Sequence, residues 1–188
     1  MTSIVPSSLI QALENRCIAV VGMNGSGKSV FGKRLASALK MRRADSDRLF
    51  KVSNGDAETF IKTHGWKAYR SAEEPLILAT LNPGTVVILS GGAVESPAIR
   101  AALKERAIVI WLQAHPERLH EHLQRAKVTR PEFSSGLHKG KIHDLSESRN
   151  PHYEEVAGIL IPPSVPFPRQ VPVAISELGK YLQSSPAL

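Results

Sequence analysis

The string Gly22-Met23-Asn24-Gly25-Ser26-Gly27-Lys28-Ser29 follows the apolar run Cys17-Ile-Ala-Val-Val21 and precedes a segment of helical periodicity, residues 28–40. A G-x-x-x-x-G-K-[ST] pattern is short enough to arise by chance, so its setting decides its meaning. Between a buried strand and a helix, the glycines let successive backbone N–H groups turn inward. The helix N-terminus adds a dipole that favours anions. The string therefore reads as a phosphate-binding loop. Gly25, Ser26, Gly27, Lys28, Ser29 and Val30 are the expected nucleotide contacts. Lys28 is expected to reach the β- and γ-phosphates of ATP, and the Ser29 hydroxyl to ligate Mg²⁺.

The rest of the chain fits the architecture that such a loop needs. Thr85–Ser90, Ala107–Leu112 and Gly158–Ile161 are further apolar runs of strand length. Helical patterns lie between them at about 66–81, 96–104 and 115–126, and a closing helix at about 172–183 follows a Pro-rich loop. Strands that are apolar throughout and alternate with helices imply a parallel sheet covered on both faces, a doubly wound α/β domain. Residues 7–16 predict a short amphipathic helix capped by serine. This divides the chain into an N-terminal helical extension, 1–16, and one domain, 17–188. Residues 125–142 are polar, basic and without periodicity, and read as a lid over the phosphate site.

Composition narrows the class further. Cys17 is the only cysteine, which excludes an intramolecular disulfide and an all-cysteine metal site. No run reaches the roughly 18 apolar residues of a membrane span, and the first residues lack the pattern of a secretory signal. A cytoplasmic protein without a membrane partner is expected. The net charge of +7 is spread along the chain with no recognition motif for nucleic acid. It suits a site that holds ATP and an anionic substrate.

A small-molecule kinase also needs carboxylates near the transferred group and cations for an anionic acceptor. Asp45-Ser46-Asp47 falls at the expected end of the second strand, where alternation would point residues 45 and 47 to the same face. Carboxyl ends of strands are where open α/β sheets bind ligands.

At this point the chain resembles the shikimate kinase family. The resemblance rests on the phosphate loop, Gly32-Lys33-x-Leu35-Ala36, Asp45-Ser46-Asp47, Tyr69-Arg70-x-x-Glu73-Glu74, Gly91-Gly92-Ala93-Val94-x-Ser96, Arg130-Pro131 and Arg149-Asn150-Pro151-x-Tyr153-x-x-x-Ala157. It runs in order from about residue 17 to 161. It implies a three-layer αβα fold with a five-stranded parallel sheet, and transfer of the γ-phosphoryl of Mg·ATP to the 3-hydroxyl of shikimate, in aromatic amino acid biosynthesis. Arg70 and Arg149 match the arginines for the substrate carboxylate, a group that a guanidinium fork suits. Asp47 matches the acid that holds the acceptor hydroxyl and takes its proton. Asp45 matches an acid placed near Mg²⁺ through water. Gly91 and Gly92 match a turn that lets substrate approach, Arg130 matches the lid arginine on the phosphates, and Glu73 matches a residue that orients Arg70. The partner implied is a small acid met by a monomer.

The pattern also departs from the family. Ser90 stands at the first of three glycines, Trp66 replaces a glutamate, and the family's lid-helix arginine falls on Leu123, with Arg125 and Lys127 as nearby basic residues. Two other readings are therefore carried. One is a kinase of another small hydroxy acid such as gluconate, and the other is a regulatory nucleotide binder with impaired turnover. His115, His120, His122, His138, His143 and His152 lack zinc-type spacing and are expected at the surface.

Overall fold

The computed structural model describes residues 5–125, 131–133, 136 and 138–184. After helix α1 (Ser7–Leu13), strand β1 (Cys17–Val21) leads through the phosphate loop into α2 (Lys28–Leu39). Strand β2 (Arg42–Asp45) runs directly into α3 (Ser46–Asn54), and α4 (Ala57–Leu78) leads to β3 (Thr85–Ile88). The chain continues through α5 (Pro97–Arg106), β4 (Ala107–Leu112), α6 (Pro116–Arg125), α7 (Lys139–Val156), β5 (Ile159–Ile161) and α8 (Phe167–Ser184).

The five strands pair in parallel in the order β2-β3-β1-β4-β5. Alternation along β1 sends Ile18 and Val20 to one face, where α1, α2 and α8 cover them with Leu13, Phe31, Leu35, Leu39, Ala174 and Leu178. Cys17, Ala19 and Val21 face the other side, packed with Ile77 of α4, Ile99 and Leu103 of α5, Leu119 of α6 and Tyr153 of α7. Two apolar layers on a two-sided sheet account for the all-apolar strands, and the three-layer αβα arrangement follows. Burial raises the Cys17 thiol to about 11, consistent with a small core residue.

Chain order reverses direction at β1, whose neighbours are β3 and β4. The crevice beyond such a switch point is where open α/β sheets place ligands. The loops after β1 and β3 both open into it.

Several boundaries differ from the sequence expectation. Pro6, not serine, stands at the N-cap of α1, and no side chain caps it. Helix α4 starts earlier than the pattern indicated, because Gly65 (φ 82°) breaks it into two arms and disrupts its periodicity. Of the expected lid, residues 126–130, 134, 135 and 137 lie outside the described residues, and its last residues fall in α7, which begins at Lys139 and buries Ile142 in the core. Helix α8 begins at Phe167, so the end of the Pro-rich loop forms its first turn, where proline costs no hydrogen bond.

Candidate active site

The phosphate loop adopts the backbone its chemistry requires. Gly25 and Gly27 have φ of 86° and 92°, a region that side chains disfavour, and Gly27 caps α2. Lys28 is buried and donates from Nζ to the Met23 carbonyl at 2.9 Å, so its ammonium lies across the loop. The Ser26 Oγ is buried without a hydrogen-bond partner among the described residues. A buried hydroxyl left over in a glycine-rich loop at a helix N-terminus fits a loop shaped for phosphate oxygens. Ser29, in the first turn of α2, is exposed at the mouth, as is Val30. Helix α6 backs the loop: Leu119 and Leu123 press on Gly25, and His122 Nδ1 lies 3.0 Å from the Gly25 carbonyl. Leu123 is thus a packing residue, and His122 is the one histidine of the group that touches the site.

Asp45 and Asp47 do meet at the crevice, but not by strand alternation. Strand β2 stops at Asp45, which caps α3 and accepts from the Asp47 backbone N–H at 3.2 Å. Asp47 lies in the first turn of α3 and is exposed to the cleft. Burial, and then the charge of Asp47, raise the Asp45 pKa, which marks a carboxylate that a nearby cation would stabilise. Between them, Ser46 turns inward, and its Oγ accepts from the Ser90 N–H at 2.8 Å. This bond fastens the start of α3 to the turn after β3. Ser90 therefore sits against Ser46, with its own hydroxyl buried and unpartnered among the described residues.

The acceptor side is built on α4, the turn after β3, and α7. A cavity of about 210 Å³ is lined by Asn24, Asp47, Tyr69, Arg70, Ser90 and Gly91, among others. Arg70 donates to Glu73 at 2.6 Å, and Glu73 is itself buried and bonded by the Tyr69 hydroxyl at 3.1 Å. Glu73 thus fixes one edge of the Arg70 guanidinium. Trp66 is partly exposed, with its ring 5.4 Å from the Arg70 guanidinium carbon, so it flanks the arginine rather than replacing an acid partner.

Arg149 projects from α7 and is almost fully buried. It donates from Nε to Glu95 at 2.7 Å and from Nη2 to Glu132 at 2.9 Å. Burial works against its charge, but Glu132, Tyr153 and Glu95 outweigh that cost and its pKa is raised. One turn later, the buried Tyr153 hydroxyl donates to the Gly91 carbonyl at 2.5 Å, locking α7 onto the glycine turn.

Gly92 lies between the two arginines. A Cβ there would overlap the Arg70 guanidinium and come within 2.9 Å of Arg149 Nη2. At Gly91 it would come within 2.7 Å of Asn24 Oδ1. Both residues must therefore be small because side chains crowd them, as the approach of a substrate would also require. Gly92→Ala is expected to cost about 1–3 kcal/mol through overpacking and to raise KM for the acid acceptor more than KM for ATP. Thermal melting and steady-state kinetics with each substrate varied would check both effects.

Of the residues expected from sequence, Asp47, Arg70 and Gly91 line one cavity, and Gly92 and Arg149 adjoin it through Arg70. Gly25 to Val30 form the end of the loop and the first turn of α2 beside it. Arg130 and Lys127 lie outside the described residues, and Arg125 is exposed on α6, 3.8 Å from Glu121. Sequence reasoning missed Asn24, Ser46, Glu95 and Glu132. Ser46 and Glu95 stand inside motifs already singled out, so their neighbours were a usable signal. Glu132 follows Arg130-Pro131 directly but carries no local mark of its contacts.

The chain is similar to known proteins along most of its length. The family model for shikimate kinase matches residues 24–171. A shikimate kinase of Nitrobacter winogradskyi is 34% identical over 178 residues, spanning 94% of this chain and 83% of that protein. One of Mannheimia succiniciproducens is 38% identical over 152 residues, 79% of this chain and 86% of its own. Among solved structures, the shikimate kinase of Acinetobacter baumannii in complex with shikimate superposes with a TM-score of 0.83 at 27% identity, covering 94% of this chain and 98% of that one. A gluconokinase of Sinorhizobium meliloti, at 19% identity and a TM-score of 0.58, shares the fold alone. With the phosphate loop, the cleft acids and the arginine pair in the order the pattern demands, the chain belongs to the shikimate kinase family.

Proposed function

We propose that this chain transfers the γ-phosphoryl group of ATP to the 3-hydroxyl of shikimate, giving shikimate 3-phosphate and ADP. The observation that carries it is the placement of Asp47 and Arg70 in one cavity at the mouth of the phosphate loop, with Arg149 beside them. A protein that only bound nucleotide would need none of these three.

In this reading the loop amides and Lys28 hold the β- and γ-phosphates, and Ser29, with Asp45 through water, holds the metal. Mg²⁺ held there by Ser29 and Asp45 would offset negative charge that develops during transfer. Arg70 and Arg149 grip the acceptor carboxylate and aim its hydroxyl at the γ-phosphorus. Asp47 takes the hydroxyl proton as the new oxygen–phosphorus bond forms and the bond to the bridging oxygen of ADP breaks. Arg130 has the phosphate-side role that the family pattern implies.

No described helix is long and apolar enough to cross a membrane. A cytoplasmic monomer acting on small molecules, with neither a nucleic-acid nor a membrane partner, belongs to the same proposal. A coupled assay for ADP tests it: shikimate should stimulate ADP formation far above background, and gluconate should not. Stimulation by gluconate alone would transfer the reading to another acid, and stimulation by neither would favour a regulatory nucleotide binder.

A further inference from the structure

Among the described residues, two guanidinium groups in the acceptor cleft are met by three carboxylates. Glu73 holds Arg70 from its own helix, and Glu95 holds the Nε of Arg149. Glu95, 42% exposed, also lies 3.6 Å from Arg70 Nη2, but the third carboxylate, the deeper Glu132, is the one that the Nη2 groups of both arginines face. Its Oε1 is 2.9 Å from Arg149 Nη2 and 3.8 Å from Arg70 Nη2, and its Oε2 accepts from Asn24 Nδ2. Its side chain is only 10% exposed. A carboxylate between two guanidinium donors is the arrangement expected of an acid substrate, not of a surface glutamate.

We propose that Glu132 occupies the carboxylate position of the acceptor and sets the affinity for the acid by competing with it. The inference rests on the shikimate reading for the identity of the acid, but its geometry does not. With Glu132 in place, a second carboxylate would be brought against it between the same two arginines, so the acid binds only as Glu132 swings away. Space for that swing lies alongside. A second cavity of about 400 Å³, lined by Trp66, Lys67, Glu95, Lys141, Leu145 and both arginines, also borders Glu132. The lysines there provide a basic surface for the displaced carboxylate. Phe133, the next residue, is buried in the core, so the backbone at this point is anchored while the Glu132 side chain rotates. Without the acceptor, the glutamate keeps the buried Arg149 charge paired.

A ligand that binds only when a competitor is displaced loses apparent affinity in proportion to the fraction of molecules in which the position is free. Two variants of the full chain test the proposal. By calorimetry, Glu132→Gln should bind shikimate about tenfold more tightly than the wild type, as expected if the position is free in roughly one molecule in ten. In Glu132→Ala the vacated position should accept a small carboxylate. Sodium acetate at about 0.1 M should raise its Tm relative to sodium chloride at equal ionic strength, and should leave the wild-type Tm unchanged. Equal or weaker binding of shikimate to Glu132→Gln, with the wild type binding measurably, would overturn the proposal and make Glu132 a support for the site. If neither protein binds shikimate, the acceptor reading fails and acetate decides the inference alone. Selective stabilisation of Glu132→Ala would uphold it, and no difference from the wild type would end it.

Discussion

Replacing Asp47 with Asn is expected to lower kcat by about 10²–10⁴, the range for removing a positioned general base, while ATP still binds. The substitution keeps the shape of the side chain and its place in the first turn of α3. The cap on α3 comes from Asp45, not Asp47. Loss of a negative charge near the helix N-terminus costs about 0.3–1 kcal/mol. Asp47 shares its cavity with Arg70 and Gly91, so an acceptor gripped by Arg70 has its hydroxyls within that space. Asn cannot take a proton at neutral pH, and the acceptor oxygen would have to attack as a poorer nucleophile. Steady-state kinetics with shikimate and a thermal melt in parallel make the check. An unchanged kcat would remove Asp47 from the proton-transfer role, and a collapsed Tm would point to a structural one.

The acids illustrate what a sequence can and cannot disclose. Asp45 and Asp47 are at the crevice, as their position after β2 indicated, yet the pleat did not bring them there. A helix starts at Ser46 because Asp45 offers its carboxylate to the free N–H of residue 47, and this local capping ends the strand. The strands β1, β3 and β4 were legible because a two-sided parallel sheet demands apolar residues throughout. Helix α7 was not, since its inward face carries Ser146, Arg149 and Tyr153 along with Ile142, and a polar seam erases the periodicity that reveals helices. The same seam is what makes α7 part of the site. Arg149 and Arg70 could be named through the family pattern, but their occupancy by Glu95 and Glu132 could not. Those pairs join α7, α4, the turn after β3 and the Pro131–Phe133 segment, and only the folded chain brings four such distant pieces to one point.

Removing the buried cation separates stability from recognition. Arg149→Met should destabilise the protein by about 3–5 kcal/mol, the cost of leaving a buried ion pair with one partner missing. For a chain of this size that corresponds to a fall in Tm on the order of 10 °C. Among the described residues Glu132 would keep Asn24 and a distant Arg70, with its side chain only 10% exposed. KM for shikimate should rise by about 10²-fold, since half of the carboxylate grip is lost. Arg149→Lys should recover part of the stability, because an ammonium restores charge but cannot span Glu95 and Glu132 as the planar fork does. The double variant Arg149→Met with Glu132→Leu gives the sharper contrast. It removes the stranded carboxylate, so most of the lost Tm should return, yet the acceptor affinity should not. Recovery of both would mean that Arg149 acts on shikimate only through Glu132. Recovery of neither would mean that the arginine holds α7 in place through Glu95, with recognition lost as a consequence of that displacement.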